Sequence, residues 1–227
     1  MPPAMSRPIV AFLVALAMLA GASAARAETA TQEIVDKSKI AFESLVAEPD
    51  MTGLRNLLPR ARGIFIVPTL IKAGFIFGAE GGSGVLLART GAGTWSYPAF
   101  FTMGAGSFGL QIGVEAKEVV FLLMTDRAVN AVITSEVKLG ADASFAIGPV
   151  GRGIEGSTTT AVGADIVAFS RGIGAFAGAA FEGAVIHERE RYDGEYYQPG
   201  ATAREIVTQG KWMNPGAEAL RNTLAKY

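Results

Sequence analysis

One histidine stands in the 227-residue chain, His187, beside Glu188 in the run Ala184-Val-Ile-His-Glu-Arg-Glu190. A His–carboxylate pair is the equipment of general acid–base catalysis, but at the end of a strand the same pair reads as an ordinary surface or edge-strand residue. Two runs have the G-x-G-x-x-G form, Gly104-Ala-Gly106-Ser-Phe-Gly109 and Gly151-Arg-Gly153-Ile-Glu-Gly156. A dinucleotide fingerprint needs a strand before it and an amphipathic helix after it. Here the first is followed by the strand-like Leu110-Gln-Ile-Gly-Val114 and the second by Ser157-Thr-Thr-Thr160, so neither is read as a cofactor site. With 28 glycines, such matches arise cheaply. There is no cysteine, which excludes disulfides, thiolate nucleophiles and Cys-based zinc sites. No serine sits in a G-x-S-x-G elbow, and the carboxylates are too dispersed for a calcium loop or a glycosidase pair. The expectation is a protein without catalytic site or cofactor.

Charge is more informative. The balance is 20 Lys+Arg against 21 Asp+Glu, which gives no reason to expect a nucleic-acid partner. It is unevenly spread, however: residues 51–114 carry Arg55, Arg60, Arg62, Lys72 and Arg89 against the single acid Glu80. These five basic residues form the candidate anion-facing set.

The N-terminus reads as a secretory signal over residues 1–27. Arg7 supplies the positive start, Ile9 to Ala20 an apolar run too short to span a membrane, and Ala25-Arg26-Ala27 the cleavage form. The expected destination is the periplasm, the outer-membrane periphery or the extracellular space, with residues 28–227 as one domain.

The elements that must position these side chains follow from periodicity. Ile34, Ala41, Phe42 and Leu45 lie on one face of a helix over 30–47, with Thr29 and Gln32 as its capping box. A helical turn around Leu54, Leu57 and Leu58 is expected to end before Pro59. Strands are expected at Ile64 to Val67, stopped by Pro68, and at Val85–Arg89, Leu110–Glu115, Val119–Met124, Ala143–Ile147, Ile166–Ser170 and Ala175–Glu188. Asp126 to Thr134 predicts a helix with Ala128, Val129, Val132 and Ile133 facing inward. Thr202 with Glu205 caps another, and Asn214-Pro215 opens the last. The fold class is therefore α+β, a mostly antiparallel sheet with helices at both ends.

Several of these segments together resemble the SYLF-domain family. They are Arg62-Gly-Ile-Phe-Ile-Val-Pro68, Lys72-Ala-Gly-Phe-Ile-Phe-Gly78, Thr94-Trp95-Ser96-Tyr97-Pro98-Ala99-Phe100, Gly109-Leu-Gln111-Ile-Gly113, Ala146-Ile-Gly148-Pro149-Val-Gly151-Arg152 and Phe176-Ala-Gly178-Ala-Ala-Phe181-Glu182-Gly183. They occur in the family's order across roughly residues 30–212. The chain departs from the pattern at Phe169, where the family often has tyrosine, and at Asp193-Gly194-Glu195. The resemblance implies lipid binding: eukaryotic members bind phosphoinositide-rich membranes, and some bind actin. For an exported chain it implies peripheral association with anionic phospholipid or envelope surfaces. Host actin or another protein partner has no support in the sequence itself. Apolar insertion would fall to the helix carrying Ile34, Phe42 and Leu45, or to Phe75, Phe77, Trp95, Tyr97 and Phe101. The alternatives are a cell-envelope scaffold and an outer-membrane β-barrel.

Overall fold

The computed structural model describes residues 30–74, 77–108, 113–134, 136–148, 163–170, 181 and 183–227. The expected signal segment, the Thr29 cap, Phe75, the 151–156 glycine run and the alternating stretch from Ala175 to Ala180 lie outside these.

A helix over 30–47, α1, runs where the periodicity places it, with Ala41, Phe42 and Leu45 buried. It leads into α2 (Thr52–Leu57) and a 3₁₀ turn, Leu58–Arg60. Pro59 sits inside that turn instead of beyond it, because a proline at the start of a helical turn gives up an N–H that has no partner there. Four long strands follow: β1 (Gly63–Gly74), β2 (Phe77–Ala88), β3 (Ala99–Phe108) and β4 (Gly113–Leu123). After α3 (Asp126–Thr134) come four short ones, β5 (Val137–Lys138), β6 (Phe145–Ile147), β7 (Ile166–Ser170) and β8 (Val185–Glu188). The chain closes on α4 (Glu190–Tyr196), α5 (Ala203–Val207) and, after a 3₁₀ turn over Pro215–Ala217, α6 (Glu218–Leu224).

The sheet order is β5-β8-β3-β2-β1-β4-β7-β6, antiparallel throughout except for β6 against β7. The fold is thus α+β and mostly antiparallel. The two ends of the order are strands of two and three residues, against the roughly ten that a barrel strand needs to cross a bilayer.

β1 occupies the middle of the sheet, and Ile64, Phe65, Ile66 and Val67 are all fully buried because both faces are covered. Ile64 and Ile66 point into a core shared with Phe42 and Leu45 of α1, Leu54, Phe100, and Leu220 and Leu224 of α6. Phe65 and Val67 point the other way, to Val129 and Val132 of α3 and Ile206 of α5. There Phe65 stacks on Phe121 at 5.7 Å and meets Phe101 edge-on at 6.2 Å, while Phe181 closes on Phe121 at 5.6 Å. Such aromatic pairs are each worth about 0.5–1.5 kcal/mol beyond their buried area.

Several strand boundaries differ from expectation. Pro68 does not stop β1. The strand passes through it on a one-residue bulge, since Ile66 pairs with Val85 and the next pair is Ile71 with Gly81. Proline is tolerated at a bulge, where the ladder is already broken. The segments expected around Glu115 and Val119 are one strand, β4, and Arg89 lies just past β2 as a bridge to Trp95. Of the segment expected to end at Glu188, the described part holds the strand Val185–Glu188, which follows a turn where Gly183 takes a left-handed φ of +82°. The apolar face of α1, Trp95 and Phe101 all pack into the cores, so they are not available for membrane insertion; Ile34 packs against the core while partly exposed.

The bulge brings the β1 backbone close to β2. A Cβ on Gly84 would lie 2.1 Å from the Ile66 carbonyl oxygen, and one on Gly82 would lie 2.4 Å from that of Thr69. Gly84→Ala is therefore expected to lower stability in urea unfolding by about 1–3 kcal/mol. Gly106→Ala, with nothing within 4 Å of its Cβ, leaves stability unchanged or slightly raised. Equal effects from both substitutions would remove close strand approach as the reason for glycine at position 84.

Candidate functional site

The ladder between β1 and β2 continues one step past the strands: the Arg89 N–H donates to the Arg62 carbonyl at 2.8 Å. Arg62 and Arg89 therefore both stand at one end of the sheet, just outside the strands, and the Arg62 N–H turns to the Leu123 carbonyl of β4 at 2.8 Å. The chain beyond Arg89 turns at once, with Thr90 N–H donating to Thr94 O at 2.8 Å and Gly93 taking φ +77°. This returns Trp95 beneath Arg89, whose guanidinium carbon lies 4.2 Å from the ring centre. Trp95 is 1% exposed, and its indole N–H finds no acceptor among the described residues. Partial burial lowers the Arg89 pKa from its very high ordinary value, and nothing lowers it far enough to discharge the group at neutral pH.

A third arginine comes from α6. Arg221 donates through Nε and Nη2 to the Trp95 carbonyl at 3.1 and 2.9 Å, and through Nη1 to Glu218 at 2.7 Å. Its guanidinium lies 4.0 Å from the Tyr97 ring centre, and the Tyr97 hydroxyl bonds the same Glu218 oxygen. That bond to a carboxylate, followed by burial, raises the phenol pKa. Arg62, Arg89, Trp95, Tyr97, Arg221 and Asp126, the first residue of α3, line one cleft of about 480 Å³. Asp126 is its single carboxylate, 3.8 Å from Arg62 Nε, and the two side chains are 79% and 58% exposed. A pair so solvated contributes about 0–1 kcal/mol.

The five basic positions thus have different fates. Arg62 and Arg89 share the cleft, and Arg60, exposed at the end of the 3₁₀ turn, makes no hydrogen bond or ion pair among the described residues. Arg55 serves the chain itself: its guanidinium takes the carbonyls of Val46, Glu48 and Pro49 at 2.7–3.1 Å and so caps the end of α1. Lys72 lies at the far end of β1, about 30 Å away by strand rise. It pairs in register with Glu80 of β2 and Glu115 of β4. Glu80 is 4% exposed; burial raises its pKa and the charge of Lys72 opposes that rise.

His187 and Glu188 do not form a pair. His187 is exposed opposite Thr102, whereas Glu188 turns inward and accepts the Ala203 N–H at 2.6 Å, holding the start of α5. The partner of Glu188 is Asp193 of α4, which is fully buried and whose Oδ1 accepts the Phe100 N–H at 2.9 Å. Desolvation, with Glu188 adjoining, pushes Asp193 up to about 9. Burial likewise raises Glu188. Through their bonds to the Phe100 and Ala203 N–H groups the two neighbouring carboxyls tie β3, β8, α4 and α5 together. A second tie is Asp165, held by Ser144, Arg127 and Thr125; these bonds outweigh its burial and lower it to about 2.

Neither acid was singled out from the sequence for such a role, because their partners lie 93 and 40 residues away. Arg221 was missed for the same reason, standing 126 residues from Trp95.

The two aspartates act oppositely with pH. Asp193 has a folded pKa above its unfolded value, so folding takes up a proton and stability falls as pH rises from about 4 to about 9. Asp165 has a depressed pKa, so its contribution is present above about pH 4 and is lost as pH falls toward 2. Asp193→Asn keeps the acceptor for Phe100 and offers an N–H to Glu188. It is expected to raise stability at pH 8 by about 1–3 kcal/mol and to flatten the melting temperature between pH 5 and 8.5. An unchanged pH slope in thermal melts of that variant would show that Asp193 is not the protonated partner.

Comparison with known proteins places this architecture. A family model described as "Ysc84: Las17-binding protein actin regulator" matches residues 104–227. Protein YSC84 of Saccharomyces cerevisiae is 34% identical over 196 residues, which cover 83% of this chain and 42% of that protein. LAS seventeen-binding protein 3 of the same yeast is 36% identical over 156 residues, 67% of this chain and 34% of that one. Human SH3 domain-containing YSC84-like protein 1 is 33% identical over 160 residues, 70% and 46% of the two chains. The chain spans about a third to a half of the length of these relatives. With the sheet, its flanking helices and these matches in agreement, the chain belongs to the Ysc84, or SYLF, family.

Proposed function

We propose that this chain is an exported, non-catalytic protein that associates peripherally with anionic phospholipid or envelope surfaces through the basic end of its sheet. The observation that carries this reading is the gathering of Arg60, Arg62 and Arg89 at one end of the molecule. Arg89 has no carboxylate partner among the described residues, Arg60 is unpaired and Arg62 has only the solvated Asp126. Of the five basic positions named from the sequence, these three stand together at one end; the Arg55 guanidinium is bonded to carbonyls, and Lys72 lies near the far end of β1.

Each cation near an anionic surface adds about 1 kcal/mol, so three supply about 3 kcal/mol. Alone that is weaker than a millimolar dissociation constant. Apolar insertion by α1, Trp95 or Phe101 does not make up the difference, since those side chains fill the cores. A more specific contact with a headgroup is needed.

The second reading, an interaction module, draws on the names of the relatives, which refer to Las17 binding and actin regulation. On that reading the same basic end would meet an acidic protein surface.

Co-sedimentation of the purified protein with anionic and zwitterionic vesicles, at low and high salt, separates the two readings when run beside filamentous actin. The expected result is salt-reversible pelleting with anionic vesicles only. Arg60→Glu with Arg62→Glu should reduce that binding by about tenfold or more at low salt. The melting temperature should move by no more than about 2 °C, since both side chains are exposed. Undiminished vesicle binding by the folded double variant would take these two residues out of the mechanism.

A further inference from the structure

The cleft beside Arg62 and Arg89 is lined by two unlike sets of residues. One set is the two guanidinium side chains of Arg62 and Arg89, the latter with its central carbon 4.2 Å from the Trp95 ring centre. The other is apolar, made by Val129 of α3, Val207 of α5 and Met213, which is 73% exposed at the rim. Arg221 is already neutralised by Glu218, so the charge left over in the cleft belongs to Arg62 and Arg89, opposed only by Asp126 at 3.8 Å. Two guanidiniums that share one cleft with a single carboxylate leave an excess of positive charge there. A bound oxyanion bridging them removes it, and guanidinium groups bind phosphate and carboxylate oxygens in pairs.

We infer that this cleft is a binding site for an amphiphilic oxyanion, with a phosphate or similar head between Arg62 and Arg89 and the first carbons of an attached chain against Val129, Val207 and Met213. The inference rests on the reading of the basic end as anion-binding and gives that reading the specific contact it lacks. The volume of about 480 Å³ admits a headgroup with a few methylenes, not a whole lipid. The ligand is either a lipid presented by a membrane or a free amphiphile of the same head chemistry. Asp126 competes with the ligand for Arg62, so its charge sets the affinity.

Isothermal titration of the full chain with dihexanoyl phosphatidic acid, inorganic phosphate and dihexanoyl phosphatidylcholine tests the inference. Saturable one-to-one binding of the phosphatidic acid is expected, with inorganic phosphate weaker for want of the apolar contact and the phosphatidylcholine repelled by its cationic head. Arg89→Gln should weaken the phosphatidic acid by about tenfold, the loss of one charge-assisted contact. Asp126→Asn should tighten it by at least about twofold, an effect that a residue merely capping α3 would not produce. If Arg89→Gln does not fold, Arg62→Gln, at a solvated position, takes its place. No saturable binding, equal binding by wild type and the arginine variants, or inorganic phosphate binding as tightly as the phosphatidic acid would each overturn the inference. Anionic vesicles bound equally by wild type and Arg89→Gln, with no titration of the soluble probe, would leave peripheral association standing and sink the cleft. The soluble probe bound without any vesicle binding would do the reverse and identify a free amphiphile as the ligand.

Discussion

The structure depends on burying β1 from both sides. Ile64 to Val67 have no exposed face, so each neighbouring pair of residues must find a separate core, and the helices are divided between those cores accordingly. α1 and α6 close one side, and α3 and α5 close the other. Because β1 must also satisfy a ladder on each edge, β2 and β4 are held in register with it, and every other strand is placed relative to those two. The bulge at Pro68 is where this double constraint ends. Beyond it the strand continues into a region where Ile71 is 48% exposed and the pairing partners are alanine, glycine, charged residues and the exposed Val114.

Polar residues inside this frame act as ties between elements. The Asp193–Glu188 pair reaches from α4 and β8 to the backbone of β3 and α5, and Asp165 joins β7 to the loop before β6 and to α3. Their pKa values move in opposite directions for a simple reason. Asp165 is surrounded by hydroxyls, a backbone N–H and an arginine that favour its charged form, while Asp193 has one N–H and another carboxyl. The basic cleft differs from both, since Arg62 and Arg89 line it together with the single, solvated carboxylate of Asp126.

Membership of the Ysc84 family and the shared portion of the relatives concern the scaffold. The matched family segment supplies Asp126 and Arg221 to the cleft, while Arg62 and Arg89 come from the strands before it. The cleft is therefore assembled from both halves of the chain.

Much of this protein was legible in its sequence because local patterns carry their own physics. The 3.6-residue spacing of Ala41, Phe42 and Leu45 and the inward face of α3 are consequences of helix geometry. The Thr202 and Asn214 caps followed from the backbone donors that any helix start leaves open. The basic bias of residues 51–114 could likewise be counted directly. What the counting could not do was sort those five cations, because their roles depend on contacts between distant segments. Arg55 next to the carbonyls that end α1 follows from how α2 folds back on that helix, while Lys72 between two acids and Arg62 beside Arg89 follow from strand register, which is fixed only when both faces of β1 are packed. The aromatics Trp95 and Phe101 had the same ambiguity: composition gives their size and polarity, and only tertiary packing decides whether that apolar area meets a core or a membrane.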